Sequence, residues 1–184
     1  MFRQAREFGP VVLIPLAWGF VTAAHLEVVT TSTLFIAHIV MATLLAGFAV
    51  TGRPDMREGV LHTWWAVIVA GFVATVVGAV GFRVGSVGPI LQGVALFSWM
   101  LLPAVGFVDT GRQVSERGWV YFGGVAACVV GAGGYALGLF GTAPLLPVAG
   151  LVLVGAGQTL AILDAAFGYE LDDTVRGAAD GDSP

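Results

Sequence analysis

Six stretches of this chain run for roughly twenty residues each with almost no charge, the length an α-helix needs to cross a hydrocarbon layer about 30 Å thick. They cover approximately 10–27, 31–51, 62–82, 88–108, 119–140 and 144–168. A chain spanning a bilayer must satisfy its backbone groups internally, so long apolar runs of this kind predict helices. The composition agrees: 57% of the residues are hydrophobic and 11% are charged, whereas soluble domains carry about 25% charged residues. The expected fold class is therefore an all-α integral membrane protein with six transmembrane helices packed as a bundle. Residues 1–169 form the transmembrane domain and residues 170–184 an acidic tail, rich in Gly and Asp, whose composition predicts disorder.

Arginine placement gives an orientation. With the N-terminus inside, the inner segments hold Arg3, Arg6, Arg53, Arg57, Arg112, Arg117 and Arg176, and the outer loops hold Arg83 alone. Such a bias predicts cytoplasmic N- and C-termini in a multi-pass protein of the cell membrane. Trp64, Trp65, Trp119, Tyr121, Phe122, Phe167 and Tyr169 form an aromatic belt at the same inner boundary. The start of the chain also resembles a secretory signal, with Arg3 and Arg6 preceding an apolar run that ends near Ala23 and Ala24. Removing it would leave five spans.

A short motif recurs. Gly47-Phe48-Ala49-Val50-Thr51-Gly52-Arg53 returns as Gly106-Phe107-Val108-Asp109-Thr110-Gly111-Arg112, with five of seven positions identical. Pro89 precedes Asp109 by 20 residues and Pro144 precedes Asp164 by 20. These spacings suggest three repeated helical hairpins, 1–2, 3–4 and 5–6, inserted in the same sense.

Glycine supplies 27 of 184 residues and concentrates in helices five and six. At four-residue spacing the sequence offers Gly123, Ala127 and Gly131 as one stripe; Gly124, Cys128, Ala132 and Ala136 as a second; Gly134 and Gly138 as a third. Ala149, Leu153, Gly157, Ala161 and Ala165 repeat the pattern in helix six. Small residues let helices approach closely in lipid, so helix five is expected to be the central and most buried helix. The same Gly-rich faces can also meet a second copy or a membrane-complex partner.

Ionisable groups inside a membrane are costly and mark candidate sites. His38 lies about eight residues into helix two, roughly 12 Å below the outer surface. With His25, Gln92 and Gln158 it defines a candidate intramembrane site. His25 and His38 are also the candidate ligands of a haem b or a metal ion, although their depths differ by roughly 7 Å. Glu27 could join them. Asp109 and Asp164 share a level at the inner ends of helices four and six, where a carboxylate opposes the helix dipole. Arg53, Arg57, Arg112 and Arg117 are the expected partners in an inner-face ion-pair network. Ser98 and Thr159 are further polar groups of the spans and are expected, with the glutamines, to cross-brace helices.

Several classes are set aside. The chain has no Lys, which excludes a retinal Schiff base, and its single cysteine, Cys128, forms no metal-ligand pattern. No basic stripe points to nucleic acid. No Gly-rich phosphate loop, metalloprotease helix motif or Ser-centred elbow occurs, so no catalytic residue is assigned. Three functions remain: a permease-like transporter of a small solute or ion, a non-enzymatic membrane subunit or scaffold, and a redox protein holding haem or metal at His38.

Overall fold

The computed structural model describes the backbone of residues 2–114, 116–141 and 143–180, and the side chains of Gly9 and of residues 11–114, 116–141 and 143–167. Six helices follow one another: α1 Phe2–His25, α2 Thr31–Gly52, α3 Gly59–Gly81, α4 Gly88–Gln113, α5 Gly118–Leu139 and α6 Leu146–Asp180. There is no strand among the described residues. Five of the helices are long and apolar enough to cross a bilayer, and the apolar part of α1, Val11–His25, is shorter. The fold is a helical membrane bundle.

Local chemistry explains the boundaries. Thr30 caps α2, its hydroxyl accepting the Thr33 amide at 3.2 Å. Pro89 occupies the first turn of α4, where its missing N–H is not needed. Gly141 follows α5 at φ 72°, a left-handed conformation that glycine adopts without strain. The helix of α6 continues across residues 170–180, where composition predicts disorder, and residues 181–184 lie outside the described residues. A helix already nucleated in the membrane extends without a second nucleation cost, which favours this continuation.

Short loops make neighbouring helices antiparallel. Helices α3 and α4 pack along their lengths, as do α5 and α6, and α4 packs on α5. The first two helices behave differently: α1 packs against α6 and α2 against α3, rather than against each other along their lengths. The core therefore draws on α1, α4, α5 and α6. Met100, Phe107, Cys128, Leu151, Val154 and Ala161 are fully buried there, with Trp18 inserted from α1.

Glycine sets the closeness of the two main helix pairs, but at seven-residue spacing. Along α5 the contact line runs Gly124, Gly131 and Gly138; along α6 it alternates Pro147, Gly150, Val154, Gly157 and Ala161. A Cβ on Gly150 would lie 2.5 Å from the Gly131 carbonyl oxygen, so the backbones themselves touch. Between α3 and α4, Trp64, Gly71 and Gly78 meet Gly106, Trp99 and Ala95 in antiparallel order. This is the seam of left-handed packing, whose contacts advance by alternate threes and fours. The expected four-residue stripes thus divide: Gly131 and Gly138 are packed, whereas Gly123 and Gly134 have nothing within 4 Å.

Nor is α5 the most buried helix. In α3, 39% of the most apolar window is buried, against 28% in α5. Helix α3 is wedged between α2 and α4, while one face of α5, with Val129, Val130 and Leu137, remains exposed.

Candidate functional site

The four polar residues that sequence grouped as an intramembrane site fall in three places. Gln158 is the deepest, at 2% exposure. Its Oε1 accepts the Trp18 indole N–H at 2.9 Å, and its Nε2 donates to the Trp99 carbonyl at 3.0 Å and approaches the Cys128 sulfur at 3.6 Å. One side chain on α6 therefore ties α1, α4 and α5 together. Close by, a Cβ on Gly155 would meet the Trp18 side chain at 2.8 Å, so the missing methyl makes room for the indole.

His25 ends α1. Its Nδ1 lies 2.9 Å from the Val21 carbonyl, which can only accept, so this nitrogen carries the proton. Nε2 lies 2.8 Å from the Tyr135 hydroxyl, which donates to it when the ring is neutral, and this bond joins α1 to α5. His38 makes the same backbone bond, from Nδ1 to the Leu34 carbonyl at 2.9 Å. Its ring sits edge-on to Phe82, with centroids 5.1 Å apart, against Gly78 of α3. A Cβ on Gly78 would lie 3.0 Å from Nε2 and 2.8 Å from the Ala95 methyl, so the missing methyl makes room for the imidazole. Gln92 packs its Cγ on Gly81, between α3 and α4.

The two histidines consequently turn to different helices, and both nitrogens of His25 are engaged. A haem held between them does not fit this arrangement, since axial ligands must face each other across the iron. Among the described residues no three His, Cys, Asp or Glu side chains converge in a way that suits a metal ion.

At the arginine-rich end the expected network separates into independent contacts. Arg117, the N-cap residue of α5, forms an ion pair with Asp164 of α6, whose side chain is only 8% exposed. Asp109 instead accepts a 2.7 Å hydrogen bond from Thr63 near the start of α3. Asp109, near the end of α4, opposes the dipole of that helix. Asp164 lies well inside α6, which runs on to Asp180, so burial rather than a helix end makes it need a partner. Each is compensated near the start of the preceding helix. Arg112 is exposed, and no ion pair joins it to Asp109. Arg53 lies over the Trp65 ring, 5.6 Å from its centroid. Arg53, Met56, Arg57, His62 and Trp65 line a cleft of about 470 Å³. The side chains of Arg3, Arg6, Tyr169 and Arg176 lie outside the described residues.

The indole N–H groups are what sequence reasoning missed. Trp64 donates to the Thr110 hydroxyl at 3.1 Å, Trp65 to the Ala49 carbonyl at 2.9 Å and Trp99 to the Thr75 hydroxyl at 2.9 Å. With Trp18 on Gln158, these bonds staple α3 to α4, α3 to α2, and α1 to α6. The available signal was a Thr or Gln at the depth of a Trp on a neighbouring helix. Ser98 and Thr75 return their hydroxyls to their own helix, at Val94 and Gly71.

Replacing Gln158 by Leu is expected to lower stability by about 1–2 kcal/mol, because the buried Trp18 N–H loses its acceptor. Hydrogen exchange should rise in α1 and remain unchanged in α3; equal protection of α1 in both proteins would contradict the role given to Gln158.

Comparison of the chain with protein-family models, with curated proteins and with solved structures gives no match.

Proposed function

We propose that this chain is a non-enzymatic membrane subunit that acts through its surface, with both ends on the cytoplasmic side. The observation supporting this reading is the filled centre of the bundle. Met100, Phe107, Leu151 and Val154 close it with no exposure, and the buried amide of Gln158 is spent on bracing. A solute path needs polar groups that can exchange partners with the solute, and here those groups hold helices together.

Helix α2 is the surface that fits a partner. It packs on α3, only 6% of its apolar window is buried, and Ile36, Val40 and Val50 are at least half exposed. Gly47 lies on this outward side with nothing within 4 Å, leaving room for close approach by another helix. We take residues 170–184 as a separate acidic segment on the cytoplasmic side. The matching placement of Asp109 beside α3 and Asp164 beside α5 also favours duplication of hairpins 3–4 and 5–6.

The protein extracted from its own membranes in mild detergent is expected to run, by native mass spectrometry, in a species heavier than the 19.0 kDa chain. Gly47→Ile should reduce that species while leaving the helical circular dichroism unchanged. A 19.0 kDa monomer under all conditions would remove the subunit reading.

A proton-linked transporter is the second reading, favoured by His38. Its Nε2 has no hydrogen-bond partner among the described residues and lies within the span of α2. Proteoliposomes carrying a pH-sensitive dye separate the two readings. The subunit is expected to leave a proton gradient intact, whereas flux abolished by His38→Gln would establish transport.

A further inference from the structure

The cleft at the arginine-rich end has the chemistry of an anion site, and we propose that it binds the phosphate of a membrane lipid headgroup. Four features converge there. Arg53 and Arg57 bring two permanent positive charges to one rim, and Arg57 makes no ion pair among the described residues. A guanidinium presents a planar fork of donors that matches phosphate oxygens.

Trp65 forms the wall, and it is fixed. Its indole N–H donates to the Ala49 carbonyl, Arg53 covers one part of its ring, and His62 stacks on it at 6.0 Å and 29°. Arg53 and His62 are thus mounted on a rigid aromatic platform. The first turn of α3, a helix of 23 residues, enters the same place, and Glu58 at its N-cap makes no side-chain capping bond. The partial positive charge of that helix end adds to the two arginines.

Depth selects the ligand. Trp65 stands less than two turns into the apolar span Gly59–Gly81, at the level where aromatic belts meet headgroups. An exposed rim of Arg53, Arg57 and His62 above a half-buried Met56 and Trp65 reproduces the profile of a phospholipid, charged above and apolar below. Asp55 and Glu58 share the loop but do not line the cleft.

The test uses the full chain in lipid nanodiscs, comparing an equal mixture of phosphatidylglycerol and phosphatidylcholine with phosphatidylcholine alone. Lipids retained by the protein are counted by native mass spectrometry. Two arginines at a membrane surface should give phosphatidylglycerol a preference of about thirtyfold at the site. Arg53→Gln/Arg57→Gln is expected to abolish it, and Arg57→Gln alone, which removes no contact within the bundle, should reduce it about fivefold. Arg112→Gln, an exposed arginine in the last turn of α4 on this face, should change it little. Soluble glycerol 3-phosphate, added to all-phosphatidylcholine discs, decides the source of the phosphate. A rise in melting temperature that the double variant loses would assign the site to a soluble ester; no rise, with the lipid preference intact, assigns it to the headgroup. The proposal is overturned if the double variant keeps the wild-type preference, or if Arg112→Gln removes as much.

Discussion

Arg117→Gln is expected to cost this bundle about 3 kcal/mol of stability, the largest loss from any single charge change on its arginine-rich face. Arg117 stands at the N-cap position of α5, and its guanidinium pairs with Asp164, whose side chain is 8% exposed. Removing one partner of a buried pair costs about 3–5 kcal/mol, because the remaining charge is left desolvated and alone. The 29% exposure of Arg117 places the effect at the lower end, since water screens part of the interaction. The size of the loss therefore reflects the abandoned carboxylate more than the strength of the pair. That distinction has a measurable consequence. The double replacement Arg117→Gln/Asp164→Asn should recover most of the loss, and a double-mutant cycle by reversible unfolding in mixed micelles would give a coupling of about 2 kcal/mol. Arg112→Gln, which breaks no pair with Asp109, should fall within about 0.5 kcal/mol of the wild type. Equal effects of the two arginine variants would mean that Asp164 is already compensated by water or by the end of α5.

The same contrast shows what could be read in advance. Asp109 and Asp164 are both recognisable in the sequence as carboxylates in need of compensation, because a charge at the edge of an apolar span is costly wherever it occurs. Which group compensates each one is not a local property. Four arginines share that face at similar depth, and the choice depends on the rotation of every helix about its axis. The structure gives Asp164 to Arg117 and Asp109 to the neutral Thr63. The spans were legible for the opposite reason: hydrocarbon thickness imposes a length on each segment separately, so α2 through α5 lie within a few residues of the apolar runs, and α6 starts with its run but continues past it to Asp180. His38 illustrates the middle case. Its depth follows from counting residues, but its place against Gly78 and Phe82 follows from the packing of α2 on α3. The docking of α1 on α6 was out of reach, since the short loop before α2 suggests a hairpin, and it is the Trp18–Gln158 bond, the space over Gly155 and the His25–Tyr135 bond to α5 that show where α1 goes.

Glycine spacing was half legible, and it leads to the second large effect. The abundance of small residues in α5 predicts close helix contact, but abundance does not reveal which glycines make it. Gly131 and Gly133 are two residues apart on one helix and differ completely in surroundings. A Cβ on Gly131 would lie 2.7 Å from the Gly150 carbonyl oxygen and 2.6 Å from a methyl of Val154, whereas one on Gly133 meets nothing within 4 Å. The Val154 methyl can rotate away, but the Gly150 carbonyl is backbone within a helix and can yield only if α5 and α6 move apart. That separation would loosen a seam running through Gly124, Gly131 and Gly138 and through the contact of Gly157 with Ala127. Gly131→Ala is therefore expected to destabilise the bundle by about 1–3 kcal/mol, the usual range for overpacking a close contact. Gly133→Ala should be neutral or stabilising by up to about 1 kcal/mol, because alanine restricts the unfolded chain and favours the helix. Equilibrium unfolding of the two variants side by side measures the difference, with intrinsic helix propensity cancelling between them. If Gly131→Ala is as stable as Gly133→Ala, then α5 and α6 are not held at backbone contact, and the seven-residue seam described for them is not the interface that joins them.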